Sequence, residues 1–322
     1  MGLLVEGKWV DQWYDTKASG GAFIRTASQF RSAVKADGST PHQPESGRYH
    51  LYVSYACPWA HRTLIYRVLK GLENHISVSV VSPYMHSEGW TFEANFPGVT
   101  LDPLQGASHM HQIYTAAEPH YTGRVTVPVL WDKKLSTIVS NESSEIIRMF
   151  DTEFNSVTGG GAPIFAPNEL LPQIDAINER VYRNVNNGVY KAGFATKQEV
   201  YEVEVQNIFD ALDWLEGILA EQRYLLGNQI TEADWRLFTT LVRFDLVYVG
   251  HFKCNLKRVH DYPNLWHYML DLAQVPGVMQ TIRLDHIKTH YYGSHSSINP
   301  TFIVPAGPDI DLNAPHNRTR FG

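Results

Sequence analysis

The sequence predicts two domains of different class: an α/β domain in the first half of the chain and an all-α domain in the second. Short β-prone runs alternate with helical periodicity up to about residue 157, and a glycine- and proline-rich stretch follows at 159–163. Beyond residue 171 the pattern is almost wholly helical. With 322 residues, 43% of them hydrophobic, each domain can bury a core of its own.

The α/β pattern begins at Tyr49, after residues that are polar, punctuated by Gly and Pro, and without sustained periodicity. Residues 49–54 form a β-prone run, 60–72 carry helical periodicity, and 76–81 alternate as a second strand, which completes a βαβ unit. We therefore predict that residues 1–48 are an irregular extension that wraps a folded body.

The rest of the α/β domain contributes a hairpin between two helices. A short helix is predicted at 109–117, two strands at 125–131 and 136–140, and a closing helix from Asn141. The order β-α-β, then helix, hairpin and helix is that of a thioredoxin-like domain. We assign residues 49–157 to this domain.

The helical half has five predicted segments, at about 172–190, 197–221, 231–248, 263–273 and 276–289. The third has the clearest start, because Thr231 can cap it and Asp234 stands three residues on, as in a capping box. We assign residues 158–290 to a helical domain. Residues 291–322 return to Pro, Gly and Asn and are predicted to be a C-terminal extension.

Composition and charge limit the kinds of partner that we expect this protein to bind. A net charge of −6 argues against nucleic acid, since phosphate binding needs a basic face. No apolar stretch approaches the roughly 18 residues of a membrane span, and two distant cysteines suit a reducing compartment, so a cytoplasmic protein is predicted. His286 and His290 stand four residues apart, but no third ligand is evident, and we predict no metal site.

Cys57 is the most informative residue, because it stands where a strand ends and a helix begins. The free N–H groups and the dipole of a helix start favour a thiolate there, and Pro58 suits the first helical position. Redox dithiol enzymes carry a second cysteine three residues later, whereas this chain has Ala60. A Cys57 mixed disulfide would then need an external thiol, for which glutathione is the abundant candidate. The alternative is a buried structural cysteine.

Two further elements suit a glutathione site. Pro128 opens a strand, where it conflicts with ladder pairing unless the Val127–Pro128 bond is cis, and the Val127 backbone would then be free to bind a peptide like an added strand. At the next helix start, Ser143 and open N–H groups suit a carboxylate, while Glu142 suits an ammonium group, and a γ-glutamyl group carries both. An ordinary edge strand and an ordinary helix cap are the alternatives.

Six stretches of the sequence resemble a known family. They read YACPWAHR (55–62), TVPVLWD (126–132), VSNES (139–143), NGVYKAGFA (187–195), RFDLVY followed by HFKCN (243–255), and KTHYYGSH (288–295). They resemble the glutathione transferases with a catalytic cysteine, as in the omega class. More narrowly they resemble the glutathionyl-hydroquinone reductases, or Xi class, over most of the chain.

The resemblance implies the glutathione-transferase architecture, glutathione as co-substrate, and a homodimer. It implies that five residues surround glutathione, namely Trp90, Arg124, Val127, Glu142 and Ser143. It implies that Tyr190, Tyr248 and Tyr291 surround the aromatic substrate. Because phenolic hydroxyls can donate hydrogen bonds to the oxygen of a departing hydroquinone, we add Tyr190 and Tyr291 to Cys57 as candidate catalytic residues.

The reaction implied is the reduction of a quinol that carries a glutathionyl thioether. The Cys57 thiolate attacks the glutathionyl sulfur and releases hydroquinone, and a second glutathione resolves the Cys57–glutathione disulfide. The near alternative is an omega-like thioltransferase or dehydroascorbate reductase, which shares Cys57 but differs in its electrophile pocket. A non-catalytic ligand-binding module of the same architecture is the alternative from another class.

Overall fold

The computed structural model describes residues 2–322 and divides the chain into two units. The first unit runs to Trp13 and includes Thr26–Pro163 and Thr281–Ile303, and the second comprises Tyr14–Arg25, Ile164–Gln280 and Val304–Gly322. These units follow spatial contacts, so that each takes part of the N-terminal extension and part of the C-terminal one. The contiguous boundaries drawn from the sequence remain predictions.

The strands all belong to the first unit: β1 (Leu3–Val5), β2 (Lys8–Val10), β3 (Tyr49–Val53), β4 (Ile76–Val80), β5 (Met85–His86), β6 (Gly89–Trp90), β7 (Gly123–Arg124), β8 (Val129–Asp132) and β9 (Thr137–Ser140). The helices of the chain are α1 (Pro58–Leu69), α2 (Met110–Ala117), α3 (Ser143–Thr152), α4 (Asn155–Thr158), α5 (Leu171–Val181), α6 (Gly188–Gly193), α7 (Gln198–Glu221), α8 (Glu232–Arg243), α9 (Pro263–Ala273) and α10 (Leu284–Ser294). Helices α5 to α9 lie in the second unit, and the others lie in the first.

The core of the first unit is a four-stranded sheet of order β4-β3-β8-β9. Strand β3 runs parallel to β4 and antiparallel to β8, as a βαβ unit followed by a hairpin requires. All five residues of β3 are buried, because α1 and α3 pack together with this sheet into one core. This is the thioredoxin-like topology that the sequence predicts.

The elements of this unit that were not predicted from the sequence are short strands. Residues 1–48 are not wholly irregular, since β1 and β2 form a hairpin whose turn residues Glu6 and Gly7 both have positive φ, and β1 also pairs with β7. Strands β5 and β6 form a second hairpin. Elements of two or three residues are too short to show a hydrophobic period, so no sequence pattern predicts them.

The helical predictions are confirmed in their main segments and wrong in one. The capping box of Thr231 and Asp234 begins α8. The segment predicted at 276–289 begins late, because Pro276 precedes Gly277 in a turn with positive φ, and α10 is Leu284–Ser294.

Two of the predicted helices contain a π-helical turn that periodicity does not reveal. One turn, Tyr182–Asn186, follows α5 and leads into α6. The other, Phe244–Tyr248, follows α8. Such turns are rare in proteins, but those that occur are often found at functional sites. Each of the two lies at or near a tyrosine that the resemblance assigns to the substrate.

Within residues 2–322, no helix combines the length and the apolar character needed to cross a membrane. In the same range, no three histidine, cysteine, aspartate or glutamate side chains are grouped so that they could hold a metal ion.

Candidate active site

Cys57 is the last extended residue before α1, with φ −77° and ψ 122°, and Pro58 follows at the first helical position. The first turn of α1 carries no acidic side chain that would oppose negative charge on the sulfur. The side chain of Cys57 is 9% exposed, and its Sγ atom lies 3.4 Å from the main-chain oxygen of Val127. The position therefore has the features that favour a reactive thiol, and ionisation of this thiol stays a prediction.

The peptide bond between Val127 and Pro128 is cis, as predicted. Strand β8 begins only at Val129, so the backbone of Val127 lies outside the ladder of the sheet. Val127 faces Cys57 through its carbonyl oxygen. An acceptor placed in this way can pair with an extended peptide, which is the role predicted for it.

Glu142 and Ser143 begin α3, where Glu142 is the capping residue. The Glu142 carboxylate accepts hydrogen bonds from the amide and the hydroxyl of Ser144, at 3.0 and 2.8 Å, and from the hydroxyl of Ser28, at 3.2 Å. Burial raises the pKa of Glu142, but the hydrogen bonds from Ser144 and the charge of Arg62 outweigh burial and hold the pKa below its ordinary value. A buried carboxylate that stays charged suits an ammonium partner.

Arg62 has a role that sequence reasoning missed. Its Nη1 atom donates a hydrogen bond to the Ser143 hydroxyl at 3.3 Å. The guanidinium is buried and lies over the ring of Trp59, 4.6 Å from its centroid. Helix α1 is thus connected to the start of α3, and no local pattern in the sequence distinguishes this arginine from one that faces solvent.

Tyr114 joins the two predicted glutathione elements and was also missed. Its buried hydroxyl donates to the main-chain oxygen of Thr126, next to Val127, at 3.0 Å. The same hydroxyl accepts a hydrogen bond from the Asn141 side chain, next to Glu142, at 3.0 Å. Burial raises the pKa of Tyr114, so the hydroxyl keeps its proton and both bonds.

Trp90 and Arg124 occupy two other places in the first unit. Trp90 is 4% exposed and stacks on His290 with ring centroids 4.6 Å apart, while His290 itself lies 2.9 Å from the carbonyl oxygen of Pro83. Arg124 extends from β7 and donates to the main-chain oxygen of Gln12. Their contacts with glutathione remain predictions.

The structure brings together two of the three tyrosines that are predicted to surround the substrate. Tyr190 on α6 and Tyr248 at the end of its π-helical turn have ring centroids 6.1 Å apart, and each ring lies 5.5 Å from that of Phe252. Tyr291 on α10 belongs to the first unit, as does Cys57, and packs against His295 at 5.6 Å. Tyr248 and Tyr291 are buried, whereas Tyr190 is partly exposed.

Cys254 is a packed thiol in the helical unit. It is fully buried, and its thiol points to the main-chain oxygen of Phe252 at 3.8 Å. Burial raises the pKa of Cys254 well above its ordinary value, which keeps this thiol protonated and unreactive. Within residues 2–322 neither cysteine forms a disulfide.

The fold and the site define a glutathione transferase with a cysteine at the start of the first helix of its thioredoxin-like domain. Family models agree: "Glutathione S-transferase, N-terminal domain" matches residues 56–153, and "Glutathione S-transferase, C-terminal domain" matches residues 198–270. The chain is 56% identical to the glutathionyl-hydroquinone reductase of Escherichia coli K12 over the whole of both proteins. It is also 56% identical to that of Sphingobium chlorophenolicum, over 96% of each chain.

Solved structures agree with these relatives. A glutathione-bound glutathione transferase homologue from Escherichia coli K-12 is 52% identical and superposes with a TM-score of 0.90 over 99% of each chain. A Xi-class glutathione transferase from Natrialba magadii gives a TM-score of 0.93 at 48% identity, over all of this chain and 97% of that one. The chain belongs to the glutathionyl-hydroquinone reductases, the Xi class of the glutathione transferase family. The predicted family, the fold class and the assignment to an enzyme are therefore confirmed.

Proposed function

We propose that this protein reduces glutathionyl-hydroquinones to hydroquinones, with glutathione as the reductant and Cys57 as the nucleophile. The observation that carries the proposal is the position of Cys57, at the open start of α1 with its sulfur facing the carbonyl oxygen of Val127. Ala60 stands where a resolving cysteine would lie, so the cycle takes its second thiol from glutathione.

The first step exchanges one bond to sulfur for another. The Cys57 thiolate forms an S–S bond with the glutathionyl sulfur, and the bond from that sulfur to the ring carbon breaks. If the ring carbon has first taken up a proton, the released electron pair moves through the ring to an oxygen, and hydroquinone departs as a phenolate. The sulfur is oxidised from thioether to disulfide, and the ring is reduced.

The second step returns the enzyme to its starting state. The thiolate of another glutathione attacks the glutathionyl sulfur of the mixed disulfide and forms glutathione disulfide, and Cys57 leaves as a thiolate. No electron carrier other than glutathione is needed.

Glutathione is held at its central cysteinyl residue and at its γ-glutamyl end in this proposal. The Val127 carbonyl accepts from the cysteinyl amide, as a neighbouring strand would. Ser143 and the start of α3 receive the γ-glutamyl carboxylate, and the charged Glu142 receives its ammonium group. Trp90 and Arg124 complete the glutathione site.

The three tyrosines serve the hydroquinone. Hydrogen bonds from phenolic hydroxyls stabilise negative charge on the ring oxygen in the transition state, where that charge develops. Tyr190 and Tyr248 supply neighbouring rings in the helical unit, and Tyr291 supplies the third hydroxyl.

The test uses a glutathionylated naphthohydroquinone and glutathione with the wild-type protein, Cys57→Ser and Cys254→Ala. We expect turnover by the wild type and by Cys254→Ala, and none by Cys57→Ser. Mixing the enzyme with the hydroquinone conjugate alone should leave one glutathionyl adduct on Cys57, seen as a mass increase of the intact protein. An inert wild-type protein, or full activity of Cys57→Ser, would refute the proposal.

We also propose that the protein is a cytoplasmic homodimer. The resemblance to the family supports the dimer, and two cysteines without a disulfide suit a reducing compartment. Light scattering coupled to size-exclusion chromatography measures the oligomeric state directly, and the mass of a monomer would refute the dimer. Cell fractionation tests the cytoplasmic location.

A further inference from the structure

A short piece of the N-terminal extension forms part of the helical unit. The segment Tyr14–Arg25 belongs to this second unit, where the main-chain oxygen of Gly21 accepts from the amide of Thr196 at 3.0 Å. Phe23 of this segment is buried, with its ring centroid 5.4 Å from that of Phe194. The segment is therefore anchored beside the end of α6, the helix that carries Tyr190.

Arg25 ends this segment and contacts Tyr190 directly. Its guanidinium carbon lies 4.9 Å from the centroid of the Tyr190 ring, and its Nε atom donates to the Asn187 side chain at 2.9 Å. Asn187 stands immediately before α6, so the hydrogen bond fixes the guanidinium relative to the helix that presents Tyr190. The guanidinium is a cation, so a positive charge lies beside this phenol.

We propose that Arg25 is a positioning residue for Tyr190 in the hydroquinone step. This inference rests on the proposed function. The cation draws electron density from the phenol ring, which makes the Tyr190 hydroxyl a stronger hydrogen-bond donor to the departing oxygen. The rigid fork between Asn187 and the ring also fixes the ring's orientation.

The role is specific to a leaving group that carries negative charge on oxygen. When Cys57 displaces hydroquinone, an electron pair arrives at the ring oxygen, and a stronger donor at Tyr190 lowers the barrier. When Cys57 instead attacks a mixed disulfide, a thiolate departs and the phenol has no ring oxygen to serve. Arg25 should therefore matter for the first substrate and not for the second.

The experiment compares Arg25→Gln, Arg25→Lys and Arg180→Gln with the wild type. Arg180 is a matched control, because it is exposed and its guanidinium lies 3.9 Å from the centroid of the half-buried Trp214 in the same unit. Each protein is assayed with glutathionylated hydroquinones that bear zero to three chlorine substituents, and with a glutathionyl mixed disulfide. Thermal midpoints of all four proteins are measured in parallel.

For Arg25→Gln we expect kcat on the unsubstituted hydroquinone to fall about tenfold, with KM for glutathione unchanged. The loss should shrink as chlorine substituents make the hydroquinone a better leaving group. Arg25→Lys should retain more of the wild-type rate than Arg25→Gln does. Arg180→Gln should keep the full wild-type rate. Turnover of the mixed disulfide should stay at the wild-type level throughout.

Two results would overturn the role of Arg25 while leaving the proposed function intact. One is an Arg25→Gln enzyme as fast as the wild type on the unsubstituted hydroquinone. The other is an equal loss on hydroquinone and disulfide, which would mark a purely structural contact. A wild-type enzyme that is inert on every hydroquinone but turns over the disulfide would instead refute the proposed function itself.

Discussion

The sulfur of Cys57 and the main-chain oxygen of Val127 lie 3.4 Å apart, which joins the start of α1 to the loop before β8. The two residues are 70 positions apart in sequence. In the proposed site this same oxygen pairs with the cysteinyl amide of glutathione, so that the bound thiol group arrives next to the nucleophile. One backbone position thus orients both partners of the disulfide.

The environments of the two cysteines predict opposite reactivity. In the native protein at neutral pH, iodoacetamide should modify Cys57 and leave Cys254 untouched, because Cys254 is fully buried and its pKa is raised. S-methylglutathione should slow the modification of Cys57. Peptide mapping by mass spectrometry after a timed reaction measures both effects.

A denatured sample provides the control for this reaction, since both cysteines should then react. Rapid modification of Cys254 in the native protein would contradict the burial that we describe.

Glu142 should bind the ammonium group of glutathione as a permanently charged carboxylate. Replacement by glutamine should raise KM for glutathione about tenfold, because a charge-assisted hydrogen bond is lost. Because the pKa of Glu142 is lowered on folding, its contribution to stability is present above the ordinary pKa of glutamate and is lost as the pH falls through the folded value. Initial-rate kinetics at varied glutathione measure the change in KM.

Glu199→Gln is the matched control, since Glu199 lies in the exposed first turn of α7. It should leave KM unchanged. The affinity for glutathione should not depend on the charge of Glu142 between about pH 6 and 8. If the affinity of the wild type changes with pH in this range and that of Glu142→Gln does not, the assigned charge state is wrong.

Removal of single hydroxyl groups should separate the hydroquinone reductase from a simple thioltransferase. Tyr190→Phe and Tyr291→Phe should each lower kcat on a glutathionylated hydroquinone by about ten- to a hundredfold, because each removes a hydrogen bond made in the transition state. Turnover of a plain mixed disulfide should be unchanged. Parallel assays of the two substrates measure the ratio.

Tyr182→Phe is a suitable control, because Tyr182 is exposed at the start of its π-helical turn. Equal losses on both substrates in Tyr190→Phe would favour the omega-like thioltransferase.

A buried ion pair fixes α1 to α3. Lys70 follows α1 and lies 3.2 Å from the carboxylate of Asp151, and both side chains are almost fully buried. Lys70→Met should destabilise the protein by about 3 kcal/mol, because it removes the buried positive charge that lies against the Asp151 carboxylate. Urea denaturation followed by circular dichroism measures the free energy of unfolding.

The exposed pair of Arg183 and Glu179 provides the comparison, and Arg183→Met should have no measurable effect. Full stability of Lys70→Met would show that the pair contributes nothing to the joint between α1 and α3.

The site residues divide according to the kind of signal that each one leaves in the sequence. Cys57, Val127 and Glu142 could be proposed from the sequence because each stands at a position where ordinary local rules are broken or left open: a thiol at a helix start, a proline opening a strand, a charged cap. Tyr114 and Arg62 could not, because a tyrosine or an arginine inside a helix looks the same whether it faces solvent or braces a neighbouring segment.

The sequence by itself determined the thioredoxin-like order of elements, the helical second half, the family and the place of Cys57 at a helix start, since these depend on local periodicity and on residues adjacent in the chain. Only the tertiary structure decided that residues 1–48 contribute strands to one unit and Arg25 to the other, and that Tyr190 and Tyr248 lie side by side. Contacts between distant segments arise from packing of whole elements, and no local pattern encodes which distant side chain fills a given place.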